Sequence, residues 1–135
     1  MRRLYSDAAD QEKRDLWARS IGAGAARCLR GEHDKAVSLF RQSVLLATDL
    51  GPVDFRLPKS LDCIAAACFR LGRLEEAQLF LNEALKICIK TLGDHHHTVA
   101  RLLGHRAKVL RAGGQIEEAR RLEARRESIR LRRGC

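Results

Sequence analysis

The sequence predicts an all-α chain of stacked helical hairpins, and three observations carry that expectation. Leu, Ala, Arg and Glu dominate the 135 residues, and all are good helix formers. Only 4% of the chain is aromatic and β-branched residues are sparse, so continuous β structure is disfavoured. Finally, one pattern recurs three times at nearly constant spacing. Gly31, Gly72 and Gly114 are each followed five residues later by alanine: Ala36, Ala77 and Ala119. Their separations are 41 and 42 residues, and Leu50-Gly51 recurs as Leu92-Gly93, again 42 apart. A period of this length is the mark of a solenoid of supersecondary units.

The first unit, about 10–50, places Trp17 and Phe40 at core spacing, with Gly24 and Ala36 as its small residues. The second, about 54–92, is the clearest. Leu61, Ile64, Ala65, Cys68 and Leu71 form one apolar face of a helix. Gly72 ends that helix and lets the chain turn. The next helix carries Leu74, Ala77, Leu81, Ala84, Leu85 and Cys88 on one stripe, with small Ala77 allowing close approach of the pair. In the third unit, about 96–133, Gly113-Gly114 makes the turn and Ala107 and Ala119 are the small residues. Its last helix has Glu123 and Arg126 where the second unit has Leu81 and Ala84, which predicts a polar capping helix. Each pair leaves apolar surface that only a neighbour can cover, so about three units are needed for a stable stack.

These units resemble tetratricopeptide repeats (TPRs), in the 42-residue form found in kinesin light chains. Leu92-Gly93-Asp94-His95-His96-His97 is similar to that form's Leu-Gly-x-x-His-Pro, with His97 in the proline's place. Leu50-Gly51-Pro52-Val53-Asp54-Phe55 is a more divergent copy. The adjacent asparagines usual in kinesin-light-chain repeats are replaced by Asp62-Cys63 and Gly104-His105, and Arg106 stands where an apolar residue is usual. The resemblance implies a single right-handed superhelical domain of six helices over 1–135. Its concave groove would be lined by the first helix of each pair, and its role would be protein binding without catalysis.

Projected onto this chain, the groove positions are Ala18, Ile21, Ala25, Cys28 and Leu29 in the first unit. Lys59, Asp62, Ala66, Phe69 and Arg70 follow in the second, then Arg101, Gly104, Lys108, Arg111 and Ala112 in the third. One end is small and apolar. The other sets Lys59, Arg70, Arg101, Lys108 and Arg111 against Asp62, with Phe69 beside the apolar face. Guanidinium groups grip carboxylates in bidentate fashion, so the expected partner is a peptide or helix with acidic residues.

The net charge is +9, concentrated in residues 101–135, where eleven Lys/Arg stand against four Glu. The arginines of the last helix offer a rival partner, nucleic acid or an anionic surface, although Glu117, Glu118, Glu123 and Glu127 interleave with them. Apolar Leu4, Tyr5 and Leu16 on the first helix offer a third reading, pairing of two stacks into a homodimer. His95, His96 and His97 diverge as adjacent residues do and read as a loop at a helix start rather than a metal site. No cofactor is expected. The sequence holds no GxSxG, Walker-type loop, HExxH or dinucleotide fingerprint, so no enzyme is expected. Five cysteines with no CxxC pair fit a reducing, cytoplasmic setting, with terminal Cys135 available for adventitious pairing. No apolar run is long enough to span a bilayer.

Overall fold

The computed structural model describes the backbone of residues 2–51 and 55–133 and the side chains of 7–51 and 55–132. Among them it contains six helices and no strand. These are α1 (Arg2–Leu29), α2 (His33–Leu50), α3 (Arg56–Arg70), α4 (Leu74–Leu92), α5 (His97–Ala112) and α6 (Ile116–Arg133). Each helix packs on the one before it, and α1 also touches α3, so three hairpins stack side by side. The first helix is the longest, at 28 residues against 18 for its partner α2.

The turns explain the glycine period. Gly31, Gly72 and Gly114 adopt φ of 77°, 78° and 83°, a left-handed region costly for residues with a Cβ. Each closes the same pair of bonds. The Gly72 N–H donates to the Phe69 carbonyl at 3.1 Å and the Arg73 N–H to the Cys68 carbonyl at 2.9 Å. Gly31 and Gly114 repeat both bonds, with Cys28 and Arg27 and with Arg111 and Leu110 as acceptors. This is the Schellman arrangement, which satisfies the orphan carbonyls at a helix end. Gly51 and Gly93 form a second class, with φ of 102° and 92°, at the joints between hairpins.

The small residues mark the closest approaches. Ala36, Ala65, Ala77, Ala84, Ala107 and Ala119 are all buried. At Gly24 even a methyl group would collide with the Phe40 ring, whose Cδ1 and Cζ would lie 2.7 and 2.8 Å away. Phe40 thus fills the space that glycine leaves between α1 and α2. Ile64, Leu81, Leu102, Leu103, Leu110 and Ile129 carry the core through the second and third hairpins. Trp17 locks the first hairpin to the second: it is 7% exposed, and its Nε1–H donates to Ser60 Oγ on α3 at 2.7 Å.

Arg106 occupies the position that Ile64 fills 42 residues earlier. It is half-buried, and its Nε is enclosed with no hydrogen-bond partner among the described residues. Desolvating a donor without a partner costs about 1–3 kcal/mol. Arg106→Met should therefore stabilise the fold by about 1 kcal/mol, read as a raised midpoint in urea with an unchanged slope. A lowered midpoint would show that Arg106 contributes through contacts of its own.

Candidate functional site

The α1–α3–α5 side of the stack carries the residues singled out from the sequence. Asp62, Phe69, Arg70 and Lys108 line one pocket of about 180 Å³ between α3 and α5, together with His105. Its floor is apolar, with Ala65, Leu81 and Val109. The Lys108 ammonium sits 5.3 Å from the centre of the Phe69 ring, a cation–π contact that holds the charge at the pocket mouth. Phe69 is half-buried, packed against the core on one side and lining the pocket on the other.

Asp62 is engaged rather than free. Its Oδ1 lies 2.8 Å from His105 Nδ1. A carboxylate only accepts, so that nitrogen carries the proton. His105 was not among the groove residues projected from sequence. It reaches Asp62 because it sits one residue past Gly104, the counterpart of Asp62 one repeat on.

Lys59 and Arg101 fall in a second pocket of about 310 Å³, nearer the helix starts, lined also by Phe55, Pro58, Cys88 and Thr98. Lys59 and Arg101 are 42 residues apart, so the repeat places equivalent positions of α3 and α5 beside each other. Arg111 lines neither pocket. Its guanidinium grips Glu123 of α6 through two nitrogens, with Nε–Oε1 at 2.8 Å and Nη2–Oε2 at 3.1 Å. The charge balance of the face is thus less one-sided than α3 and α5 alone suggest. Arg126 likewise folds back over α5, its side chain lying against the space beside Gly104.

At the apolar end Ala18, Ala25 and Leu29 are exposed and Ile21 and Cys28 are half-buried. Burial pushes the thiols of Cys28, Cys63, Cys68 and Cys88 above their ordinary range, with the Arg70 charge opposing it at Cys28. They remain protonated at neutral pH, which suits packing rather than nucleophilic chemistry. Cys135 lies outside the described residues.

The histidine run has its own structural work. His96 is the N-cap of α5, its Nδ1 accepting from the Thr98 N–H at 3.1 Å. His95 Nε2 lies 2.7 Å from Arg132 Nη1, tying the α4–α5 loop to the end of α6. The described part of α6 pairs Arg120 with Glu117, Arg121 with Glu118 and Arg130 with Glu127 along its own surface. Of the apolar residues expected to join two stacks, Leu16 is exposed, whereas the side chains of Leu4 and Tyr5 lie outside the described residues. No described helix is long and apolar enough to cross a membrane.

Comparison with known proteins agrees with this architecture. No curated protein matches the chain. Among solved structures it resembles the TPR domain of Arabidopsis FLU, at 21% identity and a TM-score of 0.78, over 89% of this chain and 98% of that one. It also resembles the nearly identical TPR-like repeats of a putative kinesin light chain from Podosopora anserina, at 25% identity and a TM-score of 0.79. That match covers 87% of this chain but 56% of the other, so this chain spans just over half of that repeat array. BtubC from P. vanneervenii is similar at 22% identity and a TM-score of 0.72, over 96% of this chain and 56% of that one. A tetratricopeptide-repeat family model matches residues 56–132, more than half of the sequence. The chain belongs to the tetratricopeptide repeat family.

Proposed function

We propose that this chain is a non-catalytic binding module acting as one TPR domain, with repeats over about 10–50, 54–92 and 96–133. It takes an acidic peptide or helix on the α3–α5 side of its stack. The observation that carries this reading is the joining of Arg70, Lys108 and Phe69 around one apolar-floored pocket, with Lys59 and Arg101 in the next. An extended or helical segment with carboxylates flanking a small apolar side chain fits both pockets at once. The cations contribute through desolvated pairs, and Phe69 and Val109 supply the apolar anchor. Arg111 contributes less directly, since binding there first has to displace or share Glu123. The phosphate-binding alternative is weakened by the glutamates that already pair with Arg120, Arg121 and Arg130.

The test is a peptide array of Asp- and Glu-bearing segments, probed with the full chain and with Arg70→Glu/Lys108→Glu. The double reversal should weaken the acidic hits by about tenfold or more, since charges of the wrong sign then face each other. Reversal of Arg111 alone should have the smaller effect. An unchanged binding pattern would remove this pocket from the site.

A further inference from the structure

A wider opening lies elsewhere, at the C-terminal end of the stack. It measures about 750 Å³, and all its lining residues belong to α5 and α6. We propose that this end groove docks an amphipathic helix of a partner protein, one with a narrow apolar stripe flanked by carboxylates, laid along the trough between α5 and α6.

The shape argues for a helix. On α5 the lining residues recur as His97, Ala100, Arg101, Gly104 and His105, the spacing of one helix face over more than two turns. On α6 they run from Arg126 to Leu131. Two helix faces side by side make the ridged trough in which a third helix packs.

The floor argues for an apolar stripe. Ala100 and Ile129 line it, and Leu131 beside them stands 62% exposed. Ile89, the residue 42 positions before Leu131, is instead partly buried against the core. A side chain that the repeat covers in the second hairpin is therefore presented to solvent in the third.

The rim argues for acid on the incoming helix. Leu81, Ala84, Leu85 and Cys88 are buried in the second hairpin. Forty-two residues later the same positions read Glu123, Arg126, Glu127 and Arg130. An ordinary apolar repeat helix placed there would strand these charges away from water, which is strongly unfavourable. Glu123 is already held by Arg111, and Glu127 by Arg130 at 3.2 Å. Arg126 has no carboxylate within ion-pairing distance among the described residues, and Arg101 adds a second guanidinium on the α5 side. The rim is thus cationic around an apolar floor, so carboxylates on both flanks of a short Leu/Ala stripe complement it. This groove is distinct from the α3–α5 pocket, although Arg101 borders both.

The probe is a fluorescent synthetic helix of the length of α6, 18 residues. It carries Leu and Ala at i, i+3, i+4 and i+7 and Glu on both flanks, and is compared with a twin carrying Lys in place of Glu. Anisotropy titrations use the full chain. The Glu helix should bind, and the Lys twin should bind at least about tenfold more weakly. Arg126→Glu/Arg130→Glu and, separately, Leu131→Asp should each weaken the Glu helix by about tenfold or more, while Lys35→Glu/Arg41→Glu, exposed on α2 and lining neither the end groove nor the α3–α5 pocket, changes it by less than about twofold. All these positions are exposed, and circular dichroism melts confirm that each variant folds. Arg126→Ala and Leu131→Ser provide milder versions. Equal binding by the end-groove variants overturns the proposal. So does loss of binding only on reversal of Arg70 and Lys108, which would place the helix in the α3–α5 pocket and leave that reading standing. Concentration-dependent dimerisation of the chain alone, abolished by Leu131→Asp, also overturns it, because the occupant is then a second copy.

Discussion

Deleting residues 117–135 should convert the protein into a chain that aggregates or loses its cooperative melt. Helix α6 packs along α5 and contributes buried Ala119, Leu122 and Ile129. Its removal would also bare apolar side chains of α5 that it covers. Burial of a Leu or Ile side chain is worth about 1.5–3 kcal/mol, and the α5 surface uncovered adds a comparable amount. The loss is on the order of 5 kcal/mol or more, as large as the whole stability of many small domains. It also takes away Glu123, leaving Arg111 without its bidentate partner. Size-exclusion chromatography and a thermal melt followed by circular dichroism read the result. A truncated chain that elutes without aggregates and keeps an unchanged melting temperature would show that α6 is no cap. Ile129→Ala gives a graded version, with an expected loss of about 2–4 kcal/mol.

Trp17→Ala is the second large effect. Trp17 is the point where α1 meets α3, 43 residues away in sequence. Its indole donates to buried Ser60 Oγ, meets the Phe55 ring edge-on at 5.7 Å, and lies under the Arg56 guanidinium at 5.5 Å. Truncation removes the ring, leaves a cavity and strips Ser60 of its donor. The expected cost is about 3–5 kcal/mol, or a drop in melting temperature on the order of 10–15 °C for a domain of this size. Trp17→Phe should recover most of the packing and lose mainly the hydrogen bond, about 1 kcal/mol. Equal destabilisation by both variants would assign the effect to the hydrogen bond and not to the ring.

Much of this architecture is written in single residues. The glycine at each hairpin turn is legible because only that residue takes φ near +80° cheaply, and its fixed distance to Ala36, Ala77 or Ala119 reports one turn geometry used three times. Trp17 and Phe40 read as core from their helical spacing alone, and both are buried. The site was harder to read. Lys59 and Arg101, or Asp62 and Gly104, are neighbours because the repeat makes them so, and a period reveals that much. Which cation is already engaged depends on the reach of side chains from other helices. Arg111 to Glu123 and Asp62 to His105 are pairings across 12 and 43 residues, and no local pattern marks them. Glu123 and Arg126 read as residues facing outward toward a further repeat; both instead bend back over α5 because their long stems reach Arg111 and the space beside Gly104. A glycine there, where the repeat before has Asp62, is what leaves room for Arg126.

The two classes of glycine turn also give the molecule a mechanical character. Within each hairpin the turn is clamped by two backbone bonds, from the N–H of Gly31, Gly72 or Gly114 and of the residue after it back to the end of the first helix. At the α4–α5 joint the Gly93 N–H bonds to the Ile89 carbonyl and the His96 N–H to the Gly93 carbonyl. The helices also pack more extensively within hairpins than across the joints. The hairpins are therefore the stiffer rungs, and the helix interfaces between one hairpin and the next are the more compliant. Under load the stack should flex as a spring does, with the spacing between neighbouring rungs, and hence the pockets that span α3 and α5, changing before any rung deforms.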